Sequence, residues 1–309
     1  MTRKTRAATI SIASNSLLIL LKIVAGILTG SVSLIAEAIH SCMDLAAAVI
    51  AYFSVRISDK SPDEKHPFGH GKAENISGVA EGLLIFIAAI IIVYEAIQKI
   101  IKGAHLETVE IGLAIMAVSI VTNILVSRYL MKTARQTDSL ALEADARHLT
   151  TDVLTMAGVL AGLALARITG LHIFDPITAL VVAMMIMKAA YDITKKSFGG
   201  LMDTRLPRDE EETIELVINE HIGSLVGFHD MRTRKAGSQR FVELHLVLPY
   251  KVALEDAHSV CDHLEDHIKG ELPNVDLNIH TEPCSAECGS CSIDCTAGAI
   301  QGWDYENRV

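Results

Sequence analysis

Two apolar stretches each carry a histidine and an aspartate four residues apart. AEAIHSCMDL holds His40 and Asp44, and ARHLTTDV holds His148 and Asp152. Positions i and i+4 of a helix lie on one face, so each pair points in one direction. In hydrocarbon a buried carboxylate alone costs about 2.5–3.5 kcal/mol or more, which a bound cation would offset. Two imidazoles and two carboxylates form a tetrahedral set suited to Zn²⁺, whereas His–Asp hydrogen bonds between helices are the alternative.

A third group of potential ligands lies in the polar stretch SPDEKHPFGHGKAEN. The spacing D-x-x-H-x-x-x-H brings Asp63, His66 and His70 close in sequence, and Pro67 and Gly69 can bend the backbone around them. These three side chains can bind one Zn²⁺ and leave one of its coordination positions open. The alternative is a polar loop that holds two histidines by coincidence.

Alternation along the predicted strands indicates which histidines near the C-terminus lie outside the core. In FVELHLVL the apolar residues share one face and leave His245 on the other, and in VDLNIHTE the same rule leaves His280 and Glu282 outside the core. These three residues could hold a second metal cluster, although solvated surface histidines fit the pattern equally well. We expect three further histidines to lie on the surface, namely His221, His263 and His267.

The tail CSAECGSCSIDC contains four thiols with C-x3-C-x2-C-x3-C spacing, namely Cys284, Cys288, Cys291 and Cys295. Closely spaced thiols in a reducing compartment indicate a metal site rather than disulfides. Zn²⁺ fits this set, and an iron–sulfur cluster is a further option whose usual spacing differs. A flexible tail with exposed thiols is the alternative.

The composition predicts that many of these residues lie in or next to membrane helices. The 309 residues are 50% hydrophobic with a mean hydropathy of +0.35, which is too apolar for an ordinary soluble protein of this size. A spanning helix needs about 20 apolar residues. No cleavable signal peptide is evident. Six segments qualify as spans, namely 9–29, 32–55, 77–101, 110–131, 148–168 and 174–194.

The distribution of Lys and Arg predicts the orientation of the chain in the membrane. These residues concentrate in the N-terminal tail and after the second, fourth and sixth segments, whereas only Lys99, Lys102 and Arg167 lie at the opposite ends. By the positive-inside rule both termini should be cytoplasmic. The net charge of −10 disfavours nucleic acid as a partner and attracts cations.

From about residue 205 the composition becomes charged, which indicates a separate soluble domain. Helical patterns in RDEEETIELVINEHI and ALEDAHSVCDHLEDHIKGEL alternate with strand patterns in FHDMRTRKAG, QRFVELHLVL and NVDLNIHTEP. The order α-β-β-α-β predicts a small α+β sandwich of one sheet covered by helices on one face.

The chain resembles the cation diffusion facilitator family. The resemblance runs through AEAIHSCMDL, HPFGHGKAE, ADARHLTTDV, GGLMDTRLP, FHDMRTRKAG and FVELHLVL, which together span nearly the whole sequence. It implies a homodimeric exporter of divalent metals driven by proton influx, located in a bacterial inner membrane. The fold implied is a six-helix transmembrane domain over 1–200 and a cytoplasmic ferredoxin-like αββαβ domain over 201–283, followed by a Cys-rich tail over 284–309.

The resemblance also implies roles for individual residues. It assigns His40, Asp44, His148 and Asp152 to the transport site. It assigns Asp63, His66 and His70 to a loop site. It assigns a binuclear cytoplasmic site to His229, His245, His258, His280 and Glu282. Glu282 stands where relatives carry Asp, and the four-Cys tail is an addition to the family pattern.

We therefore expect a Zn²⁺/H⁺ antiporter, with Cd²⁺, Co²⁺ and Fe²⁺ as further substrates. Zinc is favoured because imidazole suits it better than manganese. Some bacterial zinc/iron members carry Asp where His40 stands, and the form with His is more similar to zinc-selective members. A membrane-anchored metal sensor and an intramembrane metalloenzyme are the alternatives. The chain contains no HExxH motif, and four filled ligands leave no position for an activated water, so we expect no enzyme.

Overall fold

The computed structural model describes residues 2–29, 32–102, 110–169, 173–221 and 226–284, and the chain divides into two compact units, Met1–Met202 and Asp203–Val309. Over its described residues, the first unit consists of helices and the segments that connect them. Its helices are α1 (Arg3–Thr29), α2 (Val32–Ser58), α3 (Lys72–Lys102), α4 (Glu110–Thr137), α5 (Leu140–Thr169) and α6 (Phe174–Leu201).

Five of these helices, as far as they are described, are long and apolar enough to cross a membrane. They are α1, α2, α3, α4 and α6. The remaining long helix, α5, carries Glu143, Asp145, Arg147 and Asp152 in its first half, so its composition alone does not mark it as a span. The transmembrane character of the unit is therefore confirmed, whereas the sixth predicted span stays a prediction.

The helical unit is built from closely packed helix pairs, among which α3 runs along α6, α1 along α2 and α4 along α5. Glycine makes the α3–α6 approach close. A Cβ atom at Gly78 would collide with Ser197, and one at Gly82 would collide with Thr194. Small residues four apart on one helix are a common way to bring two membrane helices together.

The second unit contains two helices and three strands over its described residues. In chain order they are α7 (Arg208–Glu220), β1 (Gly227–Ala236), β2 (Gln239–Leu248), α8 (Leu254–Glu271) and β3 (Val275–Pro283). The strand order is β1-β2-β3, with β1 antiparallel and β3 parallel to the central β2. This is the predicted α-β-β-α-β order.

One face of this sheet carries the core of the unit. Apolar residues of β2, among them Leu244 and Leu246, form a single buried cluster with Ile218 of α7 and with Val260 and Leu264 of α8. Both helices therefore pack on the same face of the sheet, as predicted. The alternation that buries these leucines turns the side chains of the intervening β2 residues to the opposite, open face.

Candidate metal centre

The helical unit brings together three of the four residues predicted to form the intramembrane site. Asp44 on α2 and His148 and Asp152 on α5 each offer a ligand atom within 4.8 Å of the others. The Nε2 atom of His148 lies 3.2 Å from Oδ1 of Asp44. The side chains of His148 and Asp44 are only 8% and 13% exposed. This group presents one nitrogen and two carboxylate ligands in a largely buried position.

The fourth predicted ligand, His40, lies one turn before Asp44 in α2, and its side chain falls outside the described residues. The Nδ1 atom of His148 is buried and has no hydrogen-bond partner among the described atoms. A buried imidazole nitrogen without a partner is costly, which keeps His148 a candidate ligand.

Two further acidic side chains are buried next to this group. Asp145 lies one turn before His148 on α5, and Glu81 on α3 accepts a hydrogen bond from Ser77 at 3.1 Å; both acids are fully buried. The sequence alone assigns neither acid to the metal. The group of Asp44, His148 and Asp152 therefore has further acidic side chains beside it inside the helical unit.

A second buried cluster lies around Glu74, near the start of α3. Its Oε1 accepts hydrogen bonds from Lys4 at 2.9 Å and from Ser58 at 2.8 Å, and its Oε2 accepts one from Ser139 at 2.7 Å. The carboxylate is fully buried. Its hydrogen bonds join α1, α2 and the turn before α5 to α3. Sequence reasoning missed this residue, although it closes the HPFGHGKAE stretch.

The loop between α2 and α3 assembles the predicted Asp63, His66 and His70 group. Oδ1 of Asp63 lies 3.1 Å from Nδ1 of His66, and Oδ2 of Asp63 lies 3.3 Å from Nε2 of His70. Gly69, with φ +78°, adopts the left-handed conformation that the turn between the histidines requires. The backbone N–H of His66 bonds to the Asp63 carboxylate and holds its pKa below the usual value. The three ligands converge, and they lie near the surface.

Three histidines form a row across the sheet of the second unit. His229 of β1 pairs with His245 of β2, which pairs with His280 of β3, so one histidine stands at the same level on each strand. Glu282 joins this row through both carboxylate oxygens, with Oε2 3.2 Å from His229 and Oε1 2.9 Å from His245. Partial burial opposes ionisation of Glu282, but these hydrogen bonds from His245 and His229 lower its pKa overall.

Asp230 is a potential ligand that sequence reasoning missed. It forms a group with His229 and His245 whose ligand atoms lie within 4.8 Å of one another. Regular alternation would turn Asp230 away from His229, but the register of β1 shifts between His229 and Arg232, and Asp230 has φ +52°. This β-bulge brings an aspartate beside the row of histidines. The signal available in the sequence was an Asp next to the first histidine.

Two predicted ligands lie apart from these groups. His258 is on α8, where its side chain is 76% exposed and 3.7 Å from Asp262. Since α8 covers the core face of the sheet and the row of histidines lies on the open face, His258 cannot join that row within one chain. Cys284 is buried, with its backbone N–H bonded to Leu248, like a small hydrophobic residue. The other predicted thiol ligands lie outside the described residues, namely Cys288, Cys291 and Cys295.

Comparisons with known proteins cover both units. Residues 8–202 match the family model of the cation efflux transmembrane domain, and residues 206–284 match that of the cation efflux protein, cytoplasmic domain. The cation-efflux pump FieF of Escherichia fergusonii is 34% identical over 280 residues, which cover 91% of this chain and 93% of that protein.

Two further proteins are similar to this chain. A transporter of Synechocystis that is described as uncharacterized is 33% identical over 263 residues, which cover 85% of each chain. A solved structure named for the zinc transporter CzrB, in its zinc form, is 39% identical and covers 26% of this chain and 92% of its own, with a TM-score of 0.25.

Proposed function

Because the chain belongs to the cation diffusion facilitator family of cation efflux transporters, we propose that it exports Zn²⁺ in exchange for protons through the group formed by Asp44, His148 and Asp152 together with His40. The observation that carries the proposal is the convergence of Asp44, His148 and Asp152 from two helices that are far apart in sequence. Burying these groups without a cation is costly. One nitrogen ligand, or two with His40, favours Zn²⁺ over harder cations such as Mn²⁺.

In the proposed membrane arrangement α5 is a sixth span, with its acidic and basic first half facing the centre of the helical unit rather than lipid. Both termini and the second unit lie in the cytoplasm, as the distribution of Lys and Arg predicts, and the second unit has a ferredoxin-like fold. The membrane is the bacterial inner membrane, and two copies of the chain associate.

Proton exchange follows from the chemistry of the ligands. An imidazole must be neutral to bind zinc, and a free one can hold a proton near neutral pH because its ordinary pKa is about 6.5. Once zinc has left toward the outside, His40 or His148 takes up a proton, so the site does not return as two bare carboxylates. Zinc that arrives from the cytoplasm then displaces the proton. The substrate is thus exchanged for protons at the same side chains.

The open face of the sheet supports a cytoplasmic zinc site that adjusts transport. Glu282 directs one oxygen to His229 and the other to His245, which is an arrangement that can bridge two cations. His258 would complete the ligand set from a second copy of the chain, because α8 covers the core face of the sheet. Zinc binding would then favour the associated state of the two cytoplasmic units.

The direction of coupling tests the proposal. Purified protein is placed in vesicles with a trapped pH dye, and zinc is added from the side that corresponds to the cytoplasm. An acidic lumen should accelerate zinc entry, and each zinc that enters should consume lumenal protons. Zinc entry without lumenal alkalinisation, at a rate that ignores the pH gradient, would mean facilitated diffusion and not antiport.

A metal sensor is the second candidate, and the row of histidines on the sheet is the observation that favours it. A sensor would bind zinc at His229, His245 and His280 and move none across the membrane. The same vesicles decide between the two functions, because a sensor gives no zinc flux at any pH gradient while its zinc binding in detergent persists.

A further inference from the structure

Three histidines meet where α7 ends against α8, on a part of the second unit that the transport proposal does not use. His221 caps the C-terminus of α7, and His263 and His267 lie one turn apart on α8. Each offers a ligand nitrogen within 4.8 Å of the others. The ring centroids are 4.4 Å apart for His263 and His267, and 5.0 and 5.1 Å from His221 to these two rings.

The ring of His221 is held in a defined orientation and tautomer. Its Nδ1 lies 2.7 Å from the backbone carbonyl oxygen of Val217. A carbonyl oxygen only accepts hydrogen bonds, so Nδ1 carries the proton and the lone pair is on Nε2. Metal-binding histidines are commonly fixed in this way, since the hydrogen bond orients the ring and makes the other nitrogen a better ligand.

The pair on α8 has the spacing with which two histidines of one helix bind one cation. Positions i and i+4 share a face, and a third ligand from a neighbouring element completes a three-nitrogen set. His221 and His263 are half-buried and His267 is exposed, so an ion can reach the set from solvent. The same helix carries Asp262, Glu265 and Asp266, whose charges attract cations to this surface.

We propose that His221, His263 and His267 form a Zn²⁺ site with three nitrogen ligands and a fourth position taken by water. Sites with three protein ligands and one water are an established form of zinc coordination. The site is separate from the row of histidines on the sheet, because α7 and α8 cover the opposite face. Bound zinc links the end of α7 to α8 and stabilises the second unit, independently of whether the chain transports zinc.

Zinc counting on the full chain in detergent tests the site. After equilibrium dialysis against buffered zinc, the His263→Ala/His267→Ala variant should hold one zinc fewer per chain than the parent, and His221→Gln should weaken the same site at least tenfold. Glu271→Gln, which removes a charge from the last residue of α8, is the matched control and should hold as many as the parent. Circular dichroism in the absence of zinc shows that each variant is folded.

Hydrogen exchange shows where the zinc ion lost in the His263→Ala/His267→Ala variant was bound. The measurement uses a His245→Ala/His280→Ala parent, in which the row of histidines on the sheet cannot bind. Zinc should slow exchange in the peptides that cover 208–221 and 254–271, and the additional His263→Ala/His267→Ala change should abolish this protection. An unchanged zinc count, or protection that survives the double substitution, overturns the proposal. Zinc flux in vesicles is measured in parallel and should persist, which separates this site from the transport site.

Discussion

The Nε2 atom of His148 lies 3.2 Å from Oδ1 of Asp44, although the two residues are 104 positions apart in the chain. The contact joins α5 to α2, and Asp152 lies within ligand distance of both groups. Asp44 comes from α2, whereas His148 and Asp152 lie one turn apart on α5, so the group depends on how α2 and α5 pack. Any motion that separates these helices would change the coordination of a bound cation.

Removing one carboxylate from this set should abolish transport. We expect Asp44→Ala and Asp152→Ala each to reduce zinc flux into vesicles by at least a hundredfold, because each removes a charged ligand from the proposed set of four. Both variants should remain folded, as gel filtration and circular dichroism would show. Glu95→Gln is the matched control, since it removes an exposed carboxylate on α3. Near-parental flux in both aspartate variants would refute the assignment.

Replacing Glu74 by Gln should destabilise the helical unit. The substitution takes from the Lys4 ammonium, whose side chain is 11% exposed, the carboxylate that lies 2.9 Å away and leaves it the Asp59 carboxylate at 3.8 Å. Breaking a buried ion pair from one side costs about 3–5 kcal/mol when the remaining charge is uncompensated, and Asp59 should reduce this loss. Thermal unfolding in detergent should therefore shift down by several degrees.

The matched control for Glu74 is Glu143→Gln. Its partners Arg147 and Lys196 have side chains that are 39% and 56% exposed, and ion pairs of this kind contribute about 0.2–1 kcal/mol. If both variants melt at the same temperature as the parent, Glu74 does not hold the helix ends together.

Enlarging Gly82 should separate α3 from α6. A Cβ at this position already collides with Thr194, so Gly82→Val must displace one helix or force side chains from their preferred rotamers, at a cost of about 1–3 kcal/mol. The variant should melt earlier in detergent. Gly270→Ala serves as the control, because a Cβ there meets no atom within 4 Å. Equal losses in both variants would exclude close packing as the cause.

Much of the architecture follows from periodicity in the sequence. Long apolar segments predicted the helices of the first unit, and alternation around Leu244 and Leu246 predicted which face of β2 is buried. These patterns predict the helices and strands correctly because the apolar residues of each element recur at the period of that element. The helix α5 is less clear because four charged residues occupy its first half.

The arrangement of individual side chains was harder to predict. The β-bulge that moves Asp230 depends on one shift of register, which no alternating pattern records. The role of Glu74 depends on Lys4, Ser58 and Ser139, which three different parts of the chain supply. Likewise, His221, His263 and His267 were expected on the surface as separate residues, because their proximity depends on how α7 packs against α8.

Mixed dimers should show whether His258 acts on a second copy of the chain. One variant carries His258→Ala, and the other carries His245→Ala with His280→Ala. Each alone should lose the zinc ions that are bound at the row of histidines on the sheet. Co-purified mixed dimers should regain about half of them, because one complete ligand set forms between the two copies. Mixed dimers that bind no more zinc than either variant alone would show that His258 has no role across the interface.

Asp230→Asn should weaken one part of the sheet site and leave the fold unchanged. Asp230 adopts φ +52°, a left-handed conformation that costs most residues about 1–2 kcal/mol but that Asn and Asp tolerate. Asn can therefore keep the bulge while replacing a charged oxygen ligand with an amide. A strained residue beside potential ligands is a reason to test for function.

Competition with a chromogenic zinc chelator measures the effect of this change. The group of His229, Asp230 and His245 should lose at least tenfold in affinity, whereas the group of His245, His280 and Glu282 should be nearly unaffected. Asp276→Asn on β3 is the control, since it removes an exposed carboxylate from the same sheet and should change neither group. Equal zinc affinity in Asp230→Asn and the parent would show that the bulge serves the backbone alone, and that the carboxylate of Glu282 supplies the charge for the whole row of histidines.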